Sequence, residues 1–122
     1  MINATILLVA SDSLVRVVIQ EALEHSGYSV FAAGELGTAM DKLKESTPDL
    51  LMVTPYVEDI SGYQAARFIR TKCPGLRVLV VGGLIDDDRL QNRLTLAEFD
   101  VFPKPYSLTD LLQKVKDVLP EK

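Results

Sequence analysis

The chain has 122 residues, of which 48% are hydrophobic and 25% are charged. This composition is typical of one soluble globular domain, residues 1–122, and excludes a disordered or collagen-like chain. Acidic residues outnumber basic ones by 17 to 13, so the net charge is −4 and binding to nucleic acid or anionic lipid is not expected. The single cysteine, Cys73, excludes an internal disulfide, and no apolar run is long enough to span a membrane. We therefore predict a cytoplasmic protein.

The hydrophobic pattern alternates between two periods. Continuous runs of branched apolar residues predict strands buried on both faces, and apolar residues three or four apart predict helices. The predicted strands are Ile6–Val9, Tyr28–Ala32, Leu50–Val53, Val78–Val81 and Val101–Phe102. The predicted helical stripes are Leu14–Leu23, Leu36–Leu43, Ala65–Ile69, Leu90–Ala97 and Leu108–Val118, with Ser61 and Gln64 as a capping box before the third. Strands joined through helices run parallel, so the pattern predicts a three-layer (βα)5 doubly wound parallel sheet.

Ligands bind beyond the carboxyl ends of the strands in sheets of this kind. Four segments follow those ends in this chain, namely 10–13, 54–62, 82–85 and 103–106. None of them contains a phosphate-binding loop of recognised glycine spacing, and no nucleophile is paired with a base. We therefore predict a domain that is not an enzyme.

Three segments carry a resemblance to a known family. Ile6–Val9 leads into a short polar run, Pro48–Val53 is followed after a loop by Ser61–Tyr63, and Asp100–Tyr106 contains a Lys-Pro pair after the last strand. From Ile6 to Leu119 the chain resembles the receiver domain of bacterial two-component response regulators. The resemblance implies a flavodoxin-like sheet with the strand order 2-1-3-4-5.

The resemblance also implies where the reaction centre of the family would lie. Receivers accept a phosphoryl group from a histidine kinase on an aspartate, with Mg²⁺ held by carboxylates. The acidic pair of the family falls on Ala10 and Ser11, and its acceptor aspartate falls on Thr54. None of the three is a carboxylate.

The remaining positions of the family's pattern are also altered, apart from one. The hydroxyl that follows the fourth strand falls on Gly82, and the aromatic residue that rotates on activation falls on Val101. The lysine after the fifth strand is kept as Lys104. The resemblance therefore implies a degenerate receiver, or pseudo-receiver, that works without a metal or another cofactor.

Two alternatives would bring carboxylates into the site. Shifting the first strand by one residue would place Asp12 in the acidic pair, but it would also move Ile6–Val9 out of their buried register. Glu58 and Asp59 follow the third strand and could face the cleft, although a solvated loop is the simpler interpretation. Asp49 precedes the third strand, roughly 16 Å from the site at ~3.3 Å per residue.

The leading hypothesis is a signalling module that acts by protein–protein contact, independently of phosphorylation. In receivers the common contact surface combines the fourth helix, the fifth strand and the fifth helix. In this chain that interaction face would present Leu84, Ile85, Arg89, Arg93, Val101, Pro103 and Tyr106. The partner would be a kinase, another receiver or an output domain, and a homodimer is left open.

The alternative hypothesis is a domain that senses an anion or a small molecule in the vacated cleft. Lys104, Thr54, Tyr56 and Tyr106 would line that cleft. The two tyrosines either fill the space left by the lost acids or form the wall of a ligand pocket, and the sequence leaves both interpretations open.

Overall fold

The computed structural model of the chain describes residues 4–54, 56–57, 60–81, 100–102 and 107–119. The strands are β1 (Thr5–Val9), β2 (Ser29–Ala33), β3 (Leu50–Val53), β4 (Tyr56–Val57), β5 (Ile60–Ser61), β6 (Arg77–Val81) and β7 (Asp100–Phe102). The helices are α1 (Ser13–His25), α2 (Leu36–Glu45), α3 (Gly62–Lys72) and α4 (Leu108–Val118). Within these ranges, no helix is long and apolar enough to cross a lipid bilayer.

Five of the strands form one parallel sheet in the order β2-β1-β3-β6-β7. β1 lies between β2 and β3, so Val9 is paired with Ala33 on one side and with Val53 on the other. Val53 is paired in turn with Val80 of β6. These pairings align the carboxyl ends of the central strands along one edge, and they confirm the predicted parallel α/β sheet.

Both faces of the sheet are buried, and each face has its own core. Leu7 and Leu51 belong to the core that α2 and α3 cover, whereas Leu8 and Met52 belong to the core beneath α1 and α4. Successive side chains of a strand point to opposite faces, so a strand that is covered on both faces needs an unbroken apolar run. This is why Leu50–Val53 carries no polar residue.

The segment that follows β3 differs from the prediction. The sequence predicts a loop between Val53 and Ser61, but β4 and β5 pair antiparallel in this segment, with Tyr56 opposite Ser61. Ser61 is the last residue of β5 and directly precedes α3, so it stands at the position where a cap of the third helix was predicted. Strands of two residues are too short to show a hydrophobic period, which explains the error.

The fourth predicted helix, Leu90–Ala97, lies outside the described residues. The five strands of the parallel sheet and the four described helices occur along the chain in the predicted order. The complete set of five βα units stays a prediction.

Candidate functional site

The carboxyl ends of β1 and β3 meet at the edge of the sheet where a site was predicted. The Thr54 amide donates a hydrogen bond to the Val9 carbonyl at 3.1 Å, and the Ala10 amide donates to the Ala33 carbonyl at 3.0 Å. Ala10 is fully buried, Thr54 is half-buried and Ser11 is exposed. Three of the predicted site positions therefore lie on the strand ends at one edge of the sheet.

Asp12 is the N-cap of α1. Its Oδ1 accepts hydrogen bonds from the amides of Leu14 at 2.9 Å and Val15 at 3.2 Å. The carboxylate thereby satisfies two amides that have no acceptor within the helix. Ile6–Val9 are buried in the sheet, as the alignment that leaves Asp12 outside the acidic pair requires.

Asp12→Ala is expected to lower the free energy of unfolding by about 0.5–2 kcal/mol, because two helix amides lose their acceptor. Urea denaturation followed by circular dichroism measures this loss. The control is Ser13→Ala, one residue into the helix, which should change stability by less than about 0.5 kcal/mol. A loss of equal size in both variants would contradict the capping role.

Arg16 binds the end of β1 on the side of β2. It lies in the first turn of α1, and its Nη1 donates a hydrogen bond to the Ala10 carbonyl at 2.6 Å. Gly34 directly follows β2, and a Cβ atom at that position would lie 2.8 Å from the same Nη1. The missing side chain at Gly34 therefore leaves room for the guanidinium. We did not predict this contact, because neither residue stands out in the local sequence pattern.

Asp49 joins β1 to β3 at the opposite edge of the sheet. Its Oδ2 accepts a hydrogen bond from the Thr5 amide at 2.8 Å, and its own amide donates to the Thr5 carbonyl at 2.7 Å. Thr5 begins β1, whereas Ala10 follows the other end of that strand. Asp49 is therefore far from the candidate site, as predicted, and its carboxylate links two strands.

The described residues of the site do not fit Mg²⁺. Ala10 has no side-chain ligand, Ser11 and Thr54 have neutral oxygens, and the Asp12 carboxylate caps α1. Mg²⁺ is usually held in proteins through at least one carboxylate in octahedral geometry. Among the residues that the structure describes, no group of three or more His, Cys, Asp or Glu side chains is placed to hold a metal.

The predicted ligand cleft and interaction face fall largely outside the described residues. For Tyr56 and Val101 the structure gives the backbone, which belongs to β4 and β7. The other predicted residues that lie outside are Glu58, Asp59, Gly82, Leu84, Ile85, Arg89, Arg93, Pro103, Lys104 and Tyr106. Both hypotheses about these surfaces therefore stay predictions.

Solved structures share this fold. Chemotaxis protein CheY4 of Vibrio cholerae superposes with a TM-score of 0.85 at 18% identity, over 97% of this chain and 100% of that one. A CheY-like receiver domain protein of Methanospirillum hungatei superposes with a TM-score of 0.84 at 24% identity, over 95% of this chain and 93% of that one. At these identities the likeness shows the fold alone.

Sequence relatives extend the comparison. Sporulation initiation phosphotransferase F of Bacillus subtilis is 25% identical over 122 residues, which is all of this chain and 98% of the relative. Sensor kinase CckA of Brucella abortus is 29% identical to this chain. The match covers 96% of this chain and 13% of that kinase. The family model of the response regulator receiver domain matches residues 6–116. The chain therefore belongs to the response regulator receiver domain family.

Proposed function

We propose that this receiver domain signals through contacts with other proteins and without being phosphorylated. The observation that supports the proposal is the chemistry at the ends of β1 and β3. Ala10 is buried and apolar, and Ser11 supplies no charge with which to bind Mg²⁺. Thr54 offers a neutral hydroxyl at the position where the family uses a carboxylate nucleophile.

The proposed partners are those with which receiver domains of two-component systems interact. A histidine kinase, a second receiver or an output domain is the proposed class of partner, and the cytoplasm is the proposed location. The region of sensor kinase CckA that this chain matches is a small part of that protein, so similar sequences do occur within larger signalling proteins. The proposed contact surface includes β7 and α4, together with the fourth predicted helix.

The test is an amide-correlation NMR titration with Mg²⁺, followed by Mg²⁺ with beryllofluoride, a mimic of the phosphoryl group. We expect no saturable shift at Ser11 or Thr54. The matched control is the double variant Ser11→Asp with Thr54→Asp, which restores two carboxylates to the site and should respond to Mg²⁺.

Saturable shifts at Ser11 and Thr54 in the unchanged chain, with both Mg²⁺ and beryllofluoride, would overturn phosphorylation independence. Shifts with an anion alone, in the absence of Mg²⁺, would instead favour the alternative of an anion-sensing cleft. A thermal-shift series with phosphate and sulfate would then measure the affinity, since a ligand that binds only the folded state raises the melting temperature.

A further inference from the structure

The outer face of α3 combines a large exposed aromatic side chain with positive charge. Ala65, Ala66 and Ile69 are fully buried and belong to the core on that side of the sheet. The exposed residues of the helix recur three and four positions apart, so they share the opposite face. We call this surface the α3 face, and it consists of Gln64, Arg67, Phe68, Thr71 and Lys72. The Phe68 side chain is 54% exposed.

The sequence around this helix is basic, although the chain as a whole is acidic. Residues 62–77 contain four cations, namely Arg67, Arg70, Lys72 and Arg77, and no acidic residue. Because this segment contributes +4 to a whole-chain charge of −4, the remaining residues carry −8. α2 packs beside α3 and adds no net charge, since its two lysines are matched by two acidic residues. A basic segment of this kind attracts negatively charged partners.

The internal contacts of α3 leave the Phe68 ring and the Lys72 ammonium group at the surface. Arg70 is half-buried, and its Nε donates a hydrogen bond to the Leu76 carbonyl at 2.9 Å. The Thr71 hydroxyl donates to the Phe68 carbonyl at 2.6 Å. Arg70 therefore stabilises the turn after the helix, whereas Phe68 and Lys72 are exposed.

The distribution of charge decides which kind of partner fits the α3 face. A second copy of the chain would have to place an acidic surface on α3, and such a heterologous contact continues into a ring or a filament. A nucleic acid would meet one basic helix on a molecule whose remaining residues carry −8, which repel phosphates. A short acidic segment of another protein needs only the α3 face itself.

We propose that the α3 face binds an acidic segment of a partner protein that carries one large apolar side chain. The apolar side chain packs on the ring of Phe68, and the carboxylates of the segment pair with Arg67 and Lys72. Aromatic and arginine side chains are enriched at protein interfaces and among the residues that dominate binding energy. The proposal adds a second surface to the proposed function, because α3 and α4 cover opposite faces of the sheet.

The probe for this proposal is a synthetic peptide with a central tryptophan flanked on both sides by glutamates. We expect saturable NMR shifts centred on residues 64–72, and binding that weakens as salt is added. Phe68→Ser should lower the affinity about tenfold, because the apolar anchor of the peptide loses its contact. Leu108→Ser, which changes an exposed apolar residue on α4, is the matched control and should bind like the unchanged chain.

Charge is tested separately from apolar contact. Lys72→Glu should weaken binding about threefold or more, whereas Lys116→Glu, the same change on an exposed residue of α4, should leave it nearly unchanged. A peptide with glutamines in place of its glutamates should bind far more weakly. Equal binding of the two peptides, the absence of saturable binding, or an unchanged affinity in Phe68→Ser would overturn the proposal.

Two further measurements separate the other occupants of this surface. Sedimentation that showed self-association lost in Phe68→Ser would overturn the proposal in favour of a second copy. Binding of a duplex DNA oligonucleotide more tightly than the peptide would overturn it in favour of a nucleic acid. Because the substituted side chains are exposed, the variants should unfold at the same urea concentration as the unchanged chain. A failure of peptide binding would reject the α3 face alone, since the beryllofluoride titration monitors Ser11 and Thr54.

Discussion

Leu51→Ala is expected to lower the free energy of unfolding by about 2–5 kcal/mol. Leu51 is fully buried in the middle of β3, within the core that α2 and α3 cover. Truncation removes apolar contacts and leaves a cavity that a sheet held between two layers of helices closes only partly. Urea denaturation measures the loss as a shift of the midpoint at constant slope.

The control is Leu14→Ala, the same chemical change on a side chain that is 71% exposed. It should alter the free energy of unfolding by less than about 0.5 kcal/mol. If the two variants lost equal stability, the central position of Leu51 in the core would be wrong. A changed slope in Leu51→Ala alone would point to a change in the denatured or native ensemble instead.

Arg16→Met should lower the free energy of unfolding by about 1–3 kcal/mol, because the carbonyl oxygen of the buried Ala10 loses a charged hydrogen-bond donor. Methionine keeps much of the aliphatic length, so the change isolates the guanidinium. Urea denaturation gives the loss, and amide hydrogen exchange at Ala10 and Thr54 reports whether the strand ends open locally.

Two further substitutions make the Arg16 experiment specific. Lys44→Met removes an exposed cation that pairs with Asp41 at 3.8 Å, and it should have almost no effect on stability. Gly34→Ala adds a Cβ atom that displaces the guanidinium without removing it, so a loss smaller than that of Arg16→Met is expected. A larger loss in Gly34→Ala than in Arg16→Met would show that the backbone at Gly34, rather than Arg16, is the sensitive feature.

The parallel sheet was predictable because its central strands have continuous apolar sequences, which indicate burial on both faces. Leu50–Val53 reads as an unbroken apolar run, and the structure places β3 at those same residues. The end of α1 was equally plain, since Ser26 and Gly27 follow its last residue and Gly27 adopts a φ of 97°, which favours glycine. Local patterns of this kind depend only on neighbours along the chain.

Other features depend on contacts between distant segments. The hydrogen bond from the Thr5 amide to the Asp49 carboxylate spans 44 residues of sequence. No local pattern around Asp49 predicts that its side chain accepts this bond. The Asp12 cap, in contrast, did carry a local signal, namely an acidic residue directly before a helical stripe. The sequence also allowed an alternative alignment with Asp12 in the acidic pair, and the hydrogen bonds from the amides of Leu14 and Val15 show that its carboxylate caps the helix.

The burial of β1 and β3 on both faces has a consequence for folding specificity. A strand with one solvent-exposed face resists a change of register, because a shift by one residue would turn its apolar side chains towards solvent. β1 and β3 carry apolar side chains on both faces, so these side chains would stay buried after a slip. The hydrophobic effect therefore discriminates poorly between the native register and a slipped one. In the native alignment the Asp49 carboxylate accepts a hydrogen bond from the amide of Thr5, the first residue of β1. A polar residue at the amino edge of the sheet can therefore favour the native register over slipped registers of similar hydrophobic energy, which is a contribution to the specificity of the fold.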